Sequence, residues 1–424
     1  MYVQLPDWLY DDGDDDDVDF IIAACLATRS LKRSRRSPHQ RKRLDWKAHV
    51  KRLHKEGQFE RMYRMSYTSF KKLLHLLEPY LQVNVGQGSR RTSGNGHLTP
   101  ELILHCLIRY MAGGSHHDIR VLAGLPKSSF FYCLHRGIDA VNRCPQLSLK
   151  FPTEHDDLKK VCLELQAKSS FGVMDGCVGA LDGWLCRIKV PMRKDTSNVT
   201  SYFSGHYQCY GINVQAVCDA RCRFTYLSCR SPGGTGDSRA FHGTALNHFL
   251  HDIPRGFYVV GDAAYSLSAT LLVPYSGADK RNRRNDVFNF HLSQLRIKIE
   301  QLSQLRIKIE QAFGLLVNKW RVFKKPIEIN LKRIPALVEC CMQLHNFCVN
   351  ERNLDWCVPD LPDHVVTEHN PQYEEYIDCL DNEGQNMRAG GHNNVRAKVR
   401  EAIKRQLAAL GRDRPAYNKI RNKT

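Results

Sequence analysis

The stretch Cys177-Val-Gly-Ala-Leu-Asp182-Gly-Trp-Leu-Cys-Arg-Ile188 places one carboxylate inside an otherwise apolar segment. Its content of valine, leucine, isoleucine, cysteine and tryptophan predicts a β-strand over residues 177–188. A second apolar segment ends in the same way, at Val-Val-Gly-Asp262. A strand would hold either carboxylate rigidly, as a chemical site requires. An aspartate before glycine or alanine is also an ordinary turn residue, so each one alone is a weak signal.

The segments around these two predict a mixed α/β sheet flanked by helices. Residues 177–188, 210–218 and 223–228 are predicted to be three strands of a meander, because turn residues separate them. The later predicted elements are a helix over 237–250, a strand over 256–261, helices over 266–273 and 290–320, and an apolar helix over 334–349. A meander followed by alternating helix and strand is typical of a mixed sheet.

A length of 424 residues allows several structural units. We predict four: a disordered acidic and basic arm over 1–60, an all-helical domain over 61–168, an α/β domain over 169–352, and an acidic linker with a basic helical tail over 353–424. In the tail, one face of a basic helix is formed by Val395, Val399, Ile403, Leu407 and Leu410.

The helical domain contains a helix-turn-helix pattern. Thr99-Pro100-Glu101 is a helix start, a short helix is predicted over 116–123, and Gly124-Leu-Pro126 is a turn before a third helix over 128–141. Such trios of helices are also common in proteins that bind no DNA, so both interpretations stay open. The exposed DNA contacts in this pattern would be Lys127, Ser128, Ser129 and Arg136.

The charge of the chain favours a polyanionic partner. Lysine and arginine number 62 against 44 acidic residues, for a formal net charge of +18. Such a balance suits DNA binding through phosphate neutralisation and counterion release. The basic run over residues 32–43 is usually a solvated tail, but its density also suits nuclear import or contact with the DNA backbone. We therefore expect DNA as a partner and the nucleus as the location.

Membrane, secreted and zinc-binding proteins are the classes that the sequence disfavours. The longest apolar run, over 20–27, is too short for a bilayer, and its acidic upstream flank opposes a secretory signal. We expect no membrane association and an intracellular compartment that keeps the 16 cysteines reduced. Cys341, His345 and Cys348 could share a helix face, but no second ligand pair is visible. Apolar packing is therefore preferred over zinc.

Three acidic residues could form one metal site. Asp182 and Asp262 are 80 residues apart, and Glu310 follows 48 residues later on the long basic helix. Only folding could bring them together. Mg²⁺ prefers oxygen ligands, and two such ions can flank the attacking and leaving oxygens of a phosphodiester. Converging carboxylates on a basic protein thus suggest cutting or joining of nucleic acid.

A short duplication precedes Glu310. The segment Leu292-Ser-Gln-Leu-Arg-Ile-Lys-Ile-Glu300 recurs as residues 302–310. A shift of ten residues in a helix moves a side chain about 15 Å along the axis and roughly 80° around it. Glu300 and Glu310 therefore cannot occupy the same site.

Six motifs in order resemble those of the PIF/Harbinger superfamily of transposases and transposase-derived nucleases. They are Gly176-Cys-Val-Gly-Ala-Leu-Asp182-Gly-Trp, Tyr210-Gly-Ile-Asn-Val-Gln-Ala-Val-Cys-Asp219, Pro232-Gly-Gly-Thr-Gly-Asp237-Ser-Arg-Ala-Phe, Val260-Gly-Asp262-Ala-Ala-Tyr265, Ile309-Glu310-Gln-Ala-Phe-Gly314 and Leu344-His345-Asn346-Phe347. They span residues 172–350, with the helix-turn-helix pattern upstream, where such proteins place theirs. No single motif is decisive, but six in this order are specific.

The resemblance implies an RNase H-like nuclease core with a DDE-type metal site. Asp182, Asp262 and Glu310 would be catalytic and would hold Mg²⁺ or Mn²⁺, with Asp237 as a further ligand. One ion would lower the pKa of a water or a 3′-hydroxyl, and the other would stabilise the leaving oxygen. Asp237 before serine at a helix start is also a good N-cap, which is the competing interpretation.

The resemblance further implies a metal-dependent DNA endonuclease or transposase that works with a separate Myb-like protein. We also expect a homo-oligomer. Glutamate directly before Gln-Ala-Phe-Gly selects Glu310 over Glu300. If the duplication displaces the helix, activity could be lost while the fold survives. The alternative is therefore a catalytically inactive, domesticated DNA-binding protein, whereas a zinc-dependent regulator is disfavoured by the missing ligand pairs.

Overall fold

The structure is a computed structural model that describes residues 41–84, 86, 97–168, 174–297, 308–351 and 398–411. For residues 168, 293–297 and 308–311 it describes the backbone alone. Within these ranges no helix has both the length and the apolar character needed to cross a bilayer.

A mixed sheet forms the centre of the α/β part. Its strands are β1 (Cys177–Arg187), β2 (Phe203–Ser204), β3 (Cys209–Cys218), β4 (Phe224–Pro232), β5 (Tyr258–Val260) and β6 (Leu271–Leu272). The order is β2-β3-β1-β5-β6, and β4 also pairs with β3. β1 is antiparallel to β3 and parallel to β5, and β5 is parallel to β6. The predicted mixed sheet is confirmed, and this order is consistent with an RNase H-like domain.

Both faces of β1 are covered, which explains its near-continuous apolar sequence. Ala180 and Cys186 belong to a large core on one face. Val178 and Leu181 belong to a smaller core on the opposite face. The sheet is thus a buried platform in which only a few polar positions break the apolar pattern.

Helices cover the sheet and build the N-terminal part. In chain order they are α1 (Trp46–Lys55), α2 (Phe59–Tyr63), α3 (Tyr67–Leu81), α4 (Pro100–Met111), α5 (His116–Leu122), α6 (Lys127–Arg143), α7 (His155–Lys168), α8 (Asp237–His242), α9 (Ala245–His251), α10 (Arg283–Ile297), α11 (Lys308–Lys319), α12 (Ile334–Asn350) and α13 (Lys398–Ala409). The large core continues from α1 through α6 to the sheet and α12.

Two polar contacts join α6 to the start of α12. The Asn142 amide donates to the carbonyl of Ala336 at 2.9 Å, and Arg333 Nη1 lies 2.8 Å from Asp139 Oδ1. The helical part and the α/β part are therefore joined by a common hydrophobic core and by polar contacts, and not only by the chain that connects them.

The predicted helix over residues 266–273 is wrong. This segment is a loop that ends in β6, where Leu271 and Leu272 pair with Val259 and Val260 of β5. A short apolar run fits a buried strand as well as a helix, and pairing to the open edge of β5 decides between them here.

One predicted helix is divided, and another is described only in part. The helix expected over 237–250 is broken between α8 and α9, where the Thr244 hydroxyl caps α9 by accepting from Asn247 N at 3.2 Å. The helix expected over 290–320 appears as α10 and α11. Residues 298–307, which include Glu300, lie outside the described residues.

The predicted arm over 1–60 is too long. α1 and α2 both precede residue 61, and Val50, Leu53 and Phe59 are buried in the large core. Asp45 caps α1 by accepting from Ala48 N at 3.1 Å. The basic residues of this segment lie on the outer face of a helix whose inner face is apolar.

The tail helix α13 packs against the α/β part. Its Ile403 and Leu407 are buried in the large core. Tyr275 donates to Glu401 Oε1 at 2.6 Å, and the Arg400 guanidinium lies 3.7 Å from the centre of the Tyr275 ring. The apolar face predicted for this helix is therefore used within the same chain.

Candidate active site

Asp182 and Asp262 lie at the same level of two neighbouring parallel strands. Ala180 of β1 pairs with Val260 of β5, and each aspartate lies two residues further along its strand direction. Carboxyl ends of parallel strands meet at one edge of a sheet, where ligands of open α/β sheets bind. Residues 80 positions apart in sequence are thus neighbours at the end of β5.

Local hydrogen bonds orient both carboxylates. Asp182 Oδ1 accepts from the N–H of Gly183 at 2.8 Å, and Asp262 Oδ1 accepts from the N–H of Ala264 at 2.9 Å. Both aspartates are half-buried. The site therefore combines a fixed backbone with access to solvent.

Asp237 lies against Gly183 of β1, the residue that follows Asp182. A Cβ atom added at Gly183 would overlap Asp237 Oδ1, so glycine is what allows the carboxylate to approach the strand. Gly236 is the N-cap of α8 and Asp237 is its first residue. Asp237 Oδ1 instead accepts from Asn213 Nδ2 at 2.9 Å and from Gln215 Nε2 at 3.0 Å. The N-cap interpretation of Asp237 is thereby wrong.

The charges of all three aspartates act on the phenol of Tyr265. Burial raises the pKa of its phenol, and the negative charges of Asp237, Asp182 and Asp262 raise that pKa further. The phenol therefore stays protonated and donates to Gln215 Oε1 at 2.7 Å. A chain of hydrogen bonds runs from Tyr265 through Gln215 to Asp237.

The sequence alone predicted no individual role for Asn213, Gln215 or Tyr265. Asn213 and Gln215 are buried polar residues two positions apart on β3, so they share one face of the sheet. Their amides bind each other, with Gln215 Nε2 2.7 Å from Asn213 Oδ1. Two polar residues at this spacing inside the apolar strand were the signal that could have identified them.

Helix α11 brings Glu310 to the same part of the sheet. The Phe313 ring stacks on Trp184 of β1, with ring centres 5.6 Å apart. Glu310 lies one turn before Phe313 on α11, and Trp184 shares a strand face with Asp182. The backbone therefore places Glu310 on the element that packs beside Asp182, while its side chain lies outside the described set.

The described side chains include no group of three or more His, Cys, Asp and Glu close enough to hold a metal ion. The acids that are described nevertheless suit a hard divalent cation. Asp237 is bound by neutral amides and Asp262 by a backbone N–H. No described basic side chain forms an ion pair with either of them. Carboxylate oxygens are the ligands that Mg²⁺ and Mn²⁺ prefer.

The helix-turn-helix residues lie where the pattern predicts the third helix. Lys127 and Ser128 are exposed at the start of α6, and Ser129 is half-buried. Arg136 is also half-buried rather than exposed, because its guanidinium donates to the carbonyls of Leu81 and Gln82 at the end of α3. DNA contact by these four residues stays a prediction, and Arg136 would have to leave its partners to take part.

The Leu344-His345-Asn346-Phe347 motif has a structural role. Asn346 binds the backbone of Phe224 twice, accepting from its N–H at 2.8 Å and donating to its carbonyl at 2.7 Å. His345 Nε2 lies 2.9 Å from the carbonyl of Cys222. Cys341, His345 and Cys348 are buried in the core, which agrees with the preference for packing over zinc.

Comparison with known proteins agrees with this geometry. Residues 181–346 match the DDE superfamily endonuclease family. A curated protein named "Protein ALP1-like" from Arabidopsis thaliana is 20% identical over 332 residues, which cover 75% of this chain and 76% of that protein. No solved structure matches the chain. The matched segment over 181–346 contains Asp182, Asp237, Asp262 and Glu310 and is similar to DDE superfamily endonuclease domains.

Proposed function

We propose that this protein is a metal-dependent DNA endonuclease or transposase of the Harbinger type. The observation that carries the proposal is the shared level of Asp182 and Asp262 at two neighbouring parallel strands, with Asp237, the first residue of α8, lying against Gly183 of β1. Such an arrangement suits a nuclease that uses divalent cations, because these ions take several oxygen ligands at once, from carboxylates, waters and the substrate phosphate.

Asp182, Asp262 and Glu310 would hold Mg²⁺ or Mn²⁺, with Asp237 as a further ligand. When bound, two such cations would supply an acidified water or 3′-hydroxyl and would neutralise charge on the leaving oxygen. The chain's own residues orient the acids: Gln215 and Asn213 fix Asp237, and the N–H of Ala264 fixes Asp262. Glycine at 183 keeps the space over the strand open for a carboxylate.

DNA is the substrate that the endonuclease domain implies, and the net charge of +18 supports it. The proposal extends to nuclear localisation, for which the basic run over 32–43 is the support. A Myb-like partner and a homo-oligomeric state stay predictions.

Cleavage of supercoiled plasmid DNA with Mg²⁺ or Mn²⁺ tests the proposal. We expect the full chain to nick or linearise the plasmid and the Asp182→Ala variant to be inactive while still binding DNA. Asp252→Ala is the matched control, since Asp252 is an exposed aspartate at the end of α9. Equal cleavage by the wild type and Asp182→Ala would reject the site. DNA binding without cleavage by the wild type would favour the domesticated, inactive alternative.

A further inference from the structure

Large exposed apolar side chains are concentrated in the connection between β1 and β3. Seven such residues occur in the described part of the chain. Four of the seven, Val190, Met192, Phe203 and Tyr207, lie within 18 consecutive residues of this connection. Contiguous exposed apolar groups on a protein usually mark a place where something binds.

Basic residues surround these apolar groups. Arg187, Lys189, Arg193 and Lys194 belong to the end of β1 and the connection, and Lys324 and Lys325 are supplied by the segment after α11. Arg187 Nη2 donates to the carbonyl of Lys324 at 2.9 Å, which holds the two segments together. Nearby acids are Asp195 and Glu328, and Glu328 forms an exposed pair with Lys189 at 3.6 Å. We call residues 187–208 with Lys324 and Lys325 the β1–β3 surface.

The β1–β3 surface adjoins the acidic site. Gly234 donates its N–H to the carbonyl of Ser201 at 2.8 Å, so the loop before Asp237 rests on the connection. The next residue, Thr235, accepts at its carbonyl from Asn213 Nδ2 at 2.9 Å, and the same amide binds Asp237. β1 also leads directly from Asp182 to Arg187. A DNA strand at the carboxylates would therefore extend over this surface.

The aromatic part of the surface is held in place before any ligand binds. Tyr207 lies on a turn between β2 and β3 and is 59% exposed. Ser204 Oγ accepts from the N–H of Tyr207 at 3.4 Å, and Gln208 adopts a left-handed φ of 51°. The Phe203 ring packs on Tyr210, with ring centres 5.3 Å apart. A left-handed conformation at a residue other than glycine or asparagine is costly, and it is retained where the surroundings demand it.

We propose that the β1–β3 surface binds DNA with unpaired bases beside the phosphate at the carboxylate site. Exposed rings and aliphatic side chains stack on or contact unstacked bases, and the cations around them take the phosphates. A duplex with all bases paired offers no base faces to Phe203 and Tyr207. This inference deepens the proposed function and rests on it for the position of the scissile phosphate. The excess of cations over acids favours a nucleic acid over a protein partner.

Fluorescence anisotropy with two labelled oligonucleotides tests the inference: a duplex, and the same duplex with a short unpaired bubble. All variants carry Asp182→Ala, so the measurement does not depend on cleavage. We expect tighter binding to the bubble. Tyr207→Ala should weaken bubble binding about fivefold or more without changing duplex binding, because stacking on one base contributes about 1–3 kcal/mol. Tyr207→Phe keeps the ring and should retain the preference.

Two further variants test the role of the basic residues and control for loss of an aromatic ring elsewhere on the surface. Arg193→Ser with Lys194→Ser should weaken binding of both oligonucleotides, since phosphates are present in each. Tyr132→Ala removes a ring that is 49% exposed on α6 and should leave the ratio of the two affinities unchanged. Equal affinity of the parent for bubble and duplex would overturn the inference, as would a preference that survives Tyr207→Ala combined with Phe203→Ala. Plasmid cleavage by the wild type without any preference for the bubble would reject only the binding of unpaired bases. A Tyr207-dependent preference without plasmid cleavage would reject only the proposed nuclease activity.

Discussion

Gln215 connects two parts of the site at the scale of single residues. Its carbonyl oxygen accepts from the Tyr265 phenol at 2.7 Å, and its amide donates to Asp237 at 3.0 Å. Because a carboxylate can only accept, the NH2 end of Gln215 faces Asp237, and the phenol donates to the remaining carbonyl oxygen and holds the amide in this orientation. Tyr265 is therefore a positioning residue for Asp237.

Tyr265→Phe tests this role. The variant leaves the buried Gln215 oxygen without its donor, so we expect a loss of about 1–2 kcal/mol in the free energy of unfolding, measured with urea. DNA cleavage should fall while DNA affinity stays unchanged. The raised pKa of the phenol means that it stays a donor across neutral and mildly alkaline pH. Unchanged cleavage by Tyr265→Phe would show that Asp237 needs no such orientation.

Because the His345 imidazole is buried, we expect the free energy of unfolding to decrease in acid. Burial is the main cause that lowers the pKa of His345 from 6.5 to about 4. The unfolded chain therefore takes up this proton first, so the stabilisation is complete above about pH 6.5 and is lost as the pH falls toward 4. The shift corresponds to roughly 3 kcal/mol. Urea unfolding at pH 7 and pH 5 should show a smaller decline for His345→Gln than for the wild type, and an equal decline would contradict the assignment.

At the scale of elements, the packing of α11 favours Glu310 over Glu300 as the glutamate of the proposed site. Phe313 stacks on Trp184 and also lies 5.5 Å from Phe224, measured between ring centres, so the register of α11 on the sheet is fixed one turn after Glu310. The copy that includes Glu300 is separated from this anchor by ten more residues.

We expect Glu310→Gln to abolish cleavage and Glu300→Gln to leave it intact. The two substitutions are chemically identical and lie in the same repeated sequence, so each is the control for the other. The plasmid assay measures both, with DNA affinity as a check on folding. Loss of activity in Glu300→Gln alone would mean that the upstream copy is the working one.

At the scale of the whole molecule, the basic tail packs against the α/β part through α13 and also carries a large positive charge. Residues 388–424 hold eleven Lys and Arg against two acids. Deleting them should reduce DNA affinity and flatten its dependence on salt, since each lost phosphate contact lowers the slope by about 0.9. Truncation after residue 411 keeps α13 and should give an intermediate slope. DNA binding measured over a salt series tests this prediction. An unchanged slope after deletion would contradict it and would mean that α13 contributes only to packing.

The sequence predicted the meander, with Asp182 on its first strand and Asp262 after a later strand, because the apolar runs are long and the acidic interruptions stand out. It did not predict β6, whose two residues depend on the open edge of β5. It also missed α1, where Trp46, Val50 and Leu53 are hidden among basic residues. In the site, motif order is the basis on which the acids are proposed, but the Tyr265 to Gln215 to Asp237 hydrogen bonds depend on three separate elements and emerge only from the fold.

The central claim is that Asp182 and Asp262 together hold a divalent cation, and Mn²⁺ binding by the DNA-free protein tests it most directly. Isothermal titration calorimetry should detect Mn²⁺ binding to the wild type and to the exposed-site control Asp252→Asn. Binding should weaken by more than about tenfold in Asp182→Asn and in Asp262→Asn, because even residues that only support metal ligands contribute that much. Equal Mn²⁺ affinity in all four proteins would contradict the account.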